Sequence, residues 1–254
     1  MEILFIVLLG WLCGAFVNYL SDVLPVHRKL TKPFCLNCSQ SQTFRNYFIL
    51  PKRCHNCGSY RSLRVWIVEI LFPIISVLLW RSTSVELAFL PSLMLMLFFG
   101  VVVIIDLEHR LIMHPVSWAG LVLCLSIGWE LHGFWFTILG GVVGYVIMLG
   151  FFYLGGLFGR WLSHRRGEQL TEVPLGFGDV NLAGILGLLL GWPGILGGLF
   201  LAIILGGIVS LVFLLGLIVA GRYKAFSAIP YGPFLVASAV LLIYFKELIS
   251  QIMY

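Results

Sequence analysis

The chain has 254 residues, of which 60% are hydrophobic and only 11% are charged. Soluble domains carry about 25% charged residues. The composition therefore excludes an ordinary water-soluble fold and indicates that lipid is the main solvent of the chain. The net charge of +5 would by itself suit a nucleic-acid-binding surface, so the placement of the basic residues decides between the two interpretations.

Apolar segments recur along the whole chain, and a spanning helix needs roughly 20 such residues. We predict an all-α polytopic membrane protein with about eight transmembrane helices. The first segment lacks a basic start, since Glu2 follows Met1, and we expect it to be a retained helix instead of a signal peptide. In chain order, the segments are 3–24, 65–80, 87–105, 115–129, 134–159, 179–191, 194–220 and 230–246.

The basic residues fall almost entirely on one side of this predicted topology. Of the 16 Lys and Arg residues, all but Arg81 and Lys246 lie in loops on the same side of the membrane. The positive-inside rule places that side in the cytoplasm and both termini outside. The same rule accounts for the positive charge, so we expect the lipid bilayer to be a partner and nucleic acid not to be one.

Four cysteines lie in the first predicted cytoplasmic loop, in the stretch CLNCSQSQTFRNYFILPKRCHNCG. Cytoplasmic thiols stay reduced, and two Cys-x-x-Cys pairs with this separation are typical of a four-thiolate zinc site. A redox pair of dithiols is the alternative. Gly58, directly after the second pair, suits the tight turn that such a pair needs. The zinc ligands that we predict are Cys35, Cys38, Cys54 and Cys57.

Two aspartates lie at the cytoplasmic ends of predicted spans, Asp106 after an apolar run and Asp179 in the motif GFGD. Ionisable groups at membrane depth are costly and usually functional. Two facing carboxylates tend to share one proton, as in aspartic proteases. Gly176 and Gly178 would let a substrate backbone approach and would permit positive φ. The alternative is that Asp179 only caps a helix.

Two further acids have weaker interpretations. We expect Asp22 to be interfacial. Glu69 is expected either to pair with a basic residue such as Arg64 or to contact the methyl donor that the family resemblance described next implies.

In combination, these motifs resemble the type IV prepilin peptidases. The resemblance rests on DLEHRLI after Asp106, on GFGD, on the late stretch IPYGPFL and on the double Cys-x-x-Cys loop. GAFVNYLSDVLP and RVWIVEIL are also similar to stretches of that family. The sequence departs from the family at Ile112-Met113-His114, where a proline is usual, and at Asn181, where lysine is frequent.

The resemblance implies a bacterial inner-membrane aspartic peptidase with Asp106 and Asp179 as catalytic residues. It implies cleavage of the basic leaders of prepilins and type II secretion pseudopilins at the cytoplasmic face. It also implies methylation of the new N-terminal amine with S-adenosylmethionine. Residues 1–24 would be the first helix, 25–64 the zinc loop and candidate methyltransferase region, and 65–254 the peptidase domain. The zinc loop would shape the path of the leader, help hold the methyl donor, or have a structural role only.

Two other classes of protein compete with this interpretation. A presenilin-type intramembrane protease would share the aspartate pair but would carry a late Pro-Ala-Leu motif, where this chain has IPYGPFL. A transporter or a zinc-handling membrane protein is the non-enzyme alternative. It would place polar groups near the centres of its spans, whereas the acids here lie toward span ends.

Overall fold

A computed structural model describes residues 2–48, 53–82, 87–166, 176–219 and 230–245. Within these ranges the regular structure is helical, and extended pairing is limited to isolated bridges between Phe34 and Ser41 and between Arg53 and Tyr60. The all-α prediction is therefore confirmed. The helices are α1 (Glu2–His27), α2 (Phe44–Phe48), α3 (Leu63–Arg81), α4 (Phe89–His109), α5 (His114–His132), α6 (Phe134–Arg166), α7 (Phe177–Leu190), α8 (Gly194–Val219) and α9 (Gly232–Tyr244).

Eight of these helices coincide with the eight predicted apolar segments, which confirms a multi-pass membrane architecture. Among the described residues, α1, α3, α4, α6 and α8 contain stretches long and apolar enough to cross a membrane, while α7 and α9 are shorter apolar helices. Helices α7 and α8 are separate, because the chain leaves α7 at Gly191 in a left-handed conformation with φ of 62°. The short helix α2, inside the cysteine loop, is the one the apolar pattern did not predict.

The chain divides into two compact units, and the first comprises Met1–Ile105. In this unit α1 packs on α3 through small residues. A Cβ atom at Gly10 would lie 2.7 Å from the Cβ of Ser76, so the two backbones approach as closely as glycine permits. The Ser76 hydroxyl donates to the Ile6 carbonyl over 2.8 Å. This hairpin supports the cysteine loop that connects its two helices.

The second unit comprises Asp106–Tyr254. Helix α7 lies at its centre and packs against α5, α6, α8 and α9. The crossing of α6 and α7 depends on Gly140 and Gly187, where a Cβ would lie only 2.4 Å and 2.3 Å from the facing carbonyl oxygens. Because α7 is surrounded by helices, the Asp179 side chain in its first turn is buried.

Some sequence predictions fall on residues outside the described ranges. These include the basic residues Lys52, Arg222, Lys224 and Lys246 and the stretch 167–175 that leads to GFGD. The division by function into 1–24, 25–64 and 65–254 stays a prediction.

Candidate active site and metal site

Asp179 is the third residue of α7, and Gly176 is the residue that precedes this helix. The Asp179 N–H donates to the Gly176 carbonyl over 3.1 Å, and the Gly176 N–H donates back to Asp179 Oδ2 over 3.3 Å. The side chain is 8% exposed. Asp179 therefore does cap α7, as the structural alternative proposed, and it does so in a buried position.

Asp106 lies in the last turn of α4 and is 5% exposed. Its Oδ2 accepts a hydrogen bond of 3.0 Å from the backbone N–H of Gly232, the first residue of α9. Sequence reasoning identified Asp106 but did not assign this partner, 126 positions away.

The fold brings the two aspartates together, since the Asp106 carboxylate interacts electrostatically with Asp179. The Tyr231 hydroxyl also interacts with Asp179, and the charge of Arg110 acts on Asp106. Among the described residues, the hydrogen bonds to both carboxylates come from backbone N–H groups. Two buried carboxylates in this arrangement can hold one proton between them, which is the chemical requirement for acid–base catalysis by a pair of aspartates.

The structure corrects part of the expectation for the two glycines of GFGD. Gly176 has φ of −78°, and the φ of Gly178 is not positive either. Positive φ is therefore not the reason for either glycine. A Cβ at Gly178 would lie 2.9 Å from the Cβ of Ile112, so this glycine allows close packing of the segment after α4 on α7. A role for the two glycines in substrate approach stays a prediction.

The four predicted zinc ligands form one cluster, with all four Sγ atoms within 4.8 Å of one another. The Sγ atoms of Cys35 and Cys57 lie 3.7 Å apart, and those of Cys38 and Cys54 lie 3.6 Å apart. A tetrahedron with Zn–S bonds of about 2.3 Å has S–S edges of about 3.8 Å. The cluster therefore has the dimensions and the donor set of a structural zinc site.

The two cysteine pairs are held by turns of the same design. In each turn a backbone N–H donates to the carbonyl of the first cysteine, from Ser39 to Cys35 over 2.8 Å and from Gly58 to Cys54 over 3.0 Å. Ser39 and Gly58 have φ of 57° and 69°, which confirms the turn expected at Gly58. The hydrogen bond with the Ser59 hydroxyl, and then that with the Ser59 N–H, lower the pKa of the Cys57 thiol to about 6, which favours the metal-binding thiolate.

The expected place of Asp22 at the membrane interface stays a prediction, but the structure shows that this residue is buried. It is 4% exposed and forms ion pairs with the guanidinium groups of Arg61 and Arg64. The Tyr47 hydroxyl donates to the same carboxylate, and the Arg61 guanidinium lies 3.8 Å from the centre of the Tyr47 ring. We call these four residues the Asp22 cluster. Burial, and then the negative charge of Asp22, raise the pKa of Tyr47, so its hydroxyl stays a donor.

Glu69 is buried in α3 and accepts a hydrogen bond of 3.3 Å from the Trp11 indole N–H of α1. This hydrogen bond links α1 to α3, so Glu69 contributes to the packing of these two helices. The expected contact with a methyl donor stays a prediction.

Sequence reasoning missed three residues at these sites, namely Tyr47, Arg61 and Gly232. The signal for Gly232 was present, because IPYGPFL was one of the stretches that carried the family resemblance. Arg61 was interpreted only as a topology signal. No periodic pattern identifies Tyr47, since α2 has five residues.

Comparison with known proteins agrees with this geometry. Residues 93–211, which contain both aspartates, match the sequence model of the type IV leader peptidase family. The chain is 27% identical over 190 residues to the prepilin leader peptidase/N-methyltransferase of Aeromonas salmonicida strain A449, a match that covers 73% of this chain and 60% of that protein. The resemblance inferred from the motifs is thereby confirmed.

Two more relatives carry the same name. The protein of Myxococcus xanthus strain DK1622 is 26% identical over 225 residues, covering 83% of this chain and 63% of the relative. The protein of Legionella pneumophila is 25% identical over 229 residues, covering 86% of this chain and 74% of the relative. The chain thus spans about three fifths of the length of the first two relatives. No solved structure matches the chain.

Proposed function

On the premise that residues 93–211 match the type IV leader peptidase family, we propose that this chain is a membrane aspartic endopeptidase. Its substrates are type IV prepilins or type II secretion pseudopilins, and it removes their leader peptides. Asp106 and Asp179 are the catalytic residues. The relatives that carry the name prepilin leader peptidase/N-methyltransferase support the choice of substrate.

One observation carries the proposal. Two aspartates that are 73 positions apart in the sequence are buried, interact with each other and each accept a glycine N–H. A buried carboxylate that is ionised only for structural reasons is usually paired with a cation. The hydrogen bonds to this pair come from backbone amides, which orient the carboxylates and leave them able to exchange a proton.

The proposed reaction follows from a pair that shares one proton. The ionised carboxylate removes a proton from a water molecule, whose oxygen attacks the carbonyl carbon of the scissile peptide bond. The protonated carboxylate donates its proton to the carbonyl oxygen, giving a neutral tetrahedral intermediate. The C–N bond then breaks. The amine takes the proton that came from the water, and the other carboxylate takes a proton from a hydroxyl group of the intermediate as the new C=O bond forms. The pair therefore again holds one proton.

The position of the pair suits a substrate with a basic leader and an apolar helix. Asp106 lies in the last turn of α4 and Asp179 in the first turn of α7, so both lie near helix ends that we place at the cytoplasmic face of the bacterial inner membrane. The leader would lie in the cytoplasm and the apolar helix in the bilayer, so the scissile bond would lie at the depth of the aspartates.

The second proposed activity is methylation of the new N-terminal amine with S-adenosylmethionine as the methyl donor. A cavity of about 450 Å³ adjoins the cysteine cluster, which is within the size range of small-molecule sites. Aromatic, amide and hydroxyl side chains line it, among them Phe34, Asn37, Gln42, Ser59 and Tyr60. The zinc site would have four thiolate ligands and no open position, so we assign the metal a structural role that keeps this cavity formed.

Co-expression with a prepilin tests both activities at once. The mass of the product reports the loss of the leader and the addition of one methyl group. We expect both changes with the natural chain and no leader loss with Asp106→Asn or Asp179→Asn. Leader loss without the added methyl would support the peptidase and refute the methyltransferase. An unchanged prepilin with the natural, membrane-inserted chain would contradict the proposed function and favour the transporter alternative.

A further inference from the structure

The backbone N–H of Gly232 makes a buried hydrogen bond to the aspartate pair. Gly232 lies outside the two sequence motifs that contain the aspartates. It donates over 3.0 Å to Asp106 Oδ2, and the two residues are 126 positions apart. Each member of the pair therefore receives one glycine N–H on its Oδ2, Asp179 from Gly176 and Asp106 from Gly232.

The close approach of Asp106 explains why a glycine occupies position 232. A Cβ there would lie 2.5 Å from Oδ2 and 3.2 Å from Cγ of Asp106. Gly232 is not among the described residues with positive φ, so its backbone conformation is open to any residue. The requirement is one of proximity, because a side chain of any size would displace the Asp106 carboxylate.

No other backbone N–H group in the first turn of α9 is available to donate to Asp106. Pro233 has no N–H. The N–H groups of Phe234 and Leu235 both donate to the Tyr231 carbonyl, over 3.0 Å and 3.3 Å. The N–H that reaches the aspartate is therefore that of Gly232.

We propose that Gly232 is a positioning residue of the aspartate pair. Its N–H fixes Oδ2 of Asp106 and stabilises negative charge on it, while its missing side chain gives that carboxylate its place beside Asp179. An N–H donor favours the ionised form of a carboxylate, and fixed geometry is needed for proton transfer from a bound water. The inference rests on the proposed peptidase activity.

The test compares Gly232→Ala with a matched variant, Gly206→Ala, on the cleavage of a purified prepilin. Gly206 lies on α8 against the same turn of α9, and its Cβ would be 3.4 Å from Phe234 and 3.5 Å from Tyr231, which is ordinary contact. We expect kcat to fall about 100-fold in Gly232→Ala with KM changed by less than about twofold, because a displacement of about 1 Å costs this much. Gly206→Ala should keep both constants.

A second variant removes the donor without adding atoms. Cell-free synthesis with glycolic acid at position 232 replaces the N–H by an ester oxygen, in protein inserted into lipid nanodiscs. We expect this ester to lower kcat at least tenfold and to leave KM within about twofold of the natural value. The ester keeps the inference testable if Gly232→Ala does not fold.

The outcomes separate this inference from the proposed function. If the natural chain cleaves prepilin, Asp106→Asn does not, and the ester has natural kcat, Gly232 has no positioning role. The same conclusion follows if KM rises as much as kcat falls, or if Gly206→Ala loses as much activity as Gly232→Ala. If the natural chain itself does not cleave, the proposed function fails, and this inference fails with it.

Discussion

Both compact units bury carboxylates, but the surroundings of those carboxylates differ. In the first unit, Asp22 contacts two guanidinium groups and a tyrosine hydroxyl. In the second unit, Asp106 and Asp179 contact backbone N–H groups and interact with each other. A carboxylate that is neutralised by cations is fixed in one protonation state, whereas a carboxylate pair can pass a proton between its members.

We assign the Asp22 cluster a role in stability and the aspartate pair a role in catalysis. The Asp22 cluster links α1, α2 and α3, since Asp22, Tyr47 and the two arginines lie on or beside these helices. Breaking such a pair leaves an uncompensated buried charge and destabilises the fold. Asparagine is uncharged and close in size to a protonated aspartate, so its introduction at one member of the pair should stop catalysis without a large loss of stability.

The largest effect is expected for Asp106→Asn and Asp179→Asn. Each change removes a group that the proton transfers require, so leader cleavage should fall by roughly 10⁴-fold or more. Thermal unfolding of the purified variants should be nearly unchanged, because asparagine is uncharged and close in size to a protonated aspartate. Natural cleavage rates in either variant would show that the pair is not the catalytic centre.

The next effect is expected for Asp22→Ala, which should destabilise the first unit by about 3 kcal/mol, since two partly buried guanidinium groups lose their buried counter-ion. Thermal or denaturant unfolding measures the loss. The double variant Asp22→Ala, Arg61→Met should recover part of it. The folded fraction should still cleave prepilin. A stable Asp22→Ala protein that has lost cleavage would reverse the roles that we assign to the two regions.

Zinc removal should have a smaller effect on activity. The purified chain should contain one zinc per molecule, and Cys54→Ser, Cys57→Ser should contain none. Because metal binding and loop folding are coupled, methyl transfer to an already cleaved pilin should fall roughly tenfold or more, and leader cleavage should fall less. The Asp variants should keep methylation of the cleaved pilin. Equal loss of both activities in the cysteine variant would mean that the loop supports both active sites.

The smallest effect is expected for Tyr47→Phe, which removes one hydroxyl donor to Asp22 and leaves the ring under Arg61. The loss should be about 1–2 kcal/mol of unfolding free energy, since the two arginines still compensate the charge. Tyr60→Phe is the matched control, because that side chain is 70% exposed, and it should have no measurable effect. A loss as large as that of Asp22→Ala would make Tyr47 the main partner of the carboxylate.

The sequence predicted those features that depend on local spacing. Eight apolar segments became eight helices, and the spacing within and between the two Cys-x-x-Cys pairs correctly predicted a four-thiolate cluster. The predicted shared membrane depth made a meeting of Asp106 and Asp179 possible, and in the structure the two carboxylates interact. Local spacing cannot give the contacts between distant helices.

The features that the sequence did not predict all depend on close packing between distant segments. Asp22 and its arginines are 39 and 42 positions apart, and their pairing requires the close approach of α1 and α3. The glycines of GFGD were expected to permit positive φ, but Gly178 serves close packing against Ile112 instead. The role of Gly232 likewise arises from proximity, which composition and periodicity do not encode.

The central claim is that the two aspartates act as one catalytic unit, and the most direct test is the rate of leader cleavage by Asp106→Asn, by Asp179→Asn and by the double variant. The three proteins would be assayed on one purified prepilin in the same lipid, with the product identified by mass. Because the pair shares a single proton, the double variant should be slower than either single variant by less than about tenfold. Losses that multiply in the double variant, or cleavage that persists in one single variant, would contradict the claim.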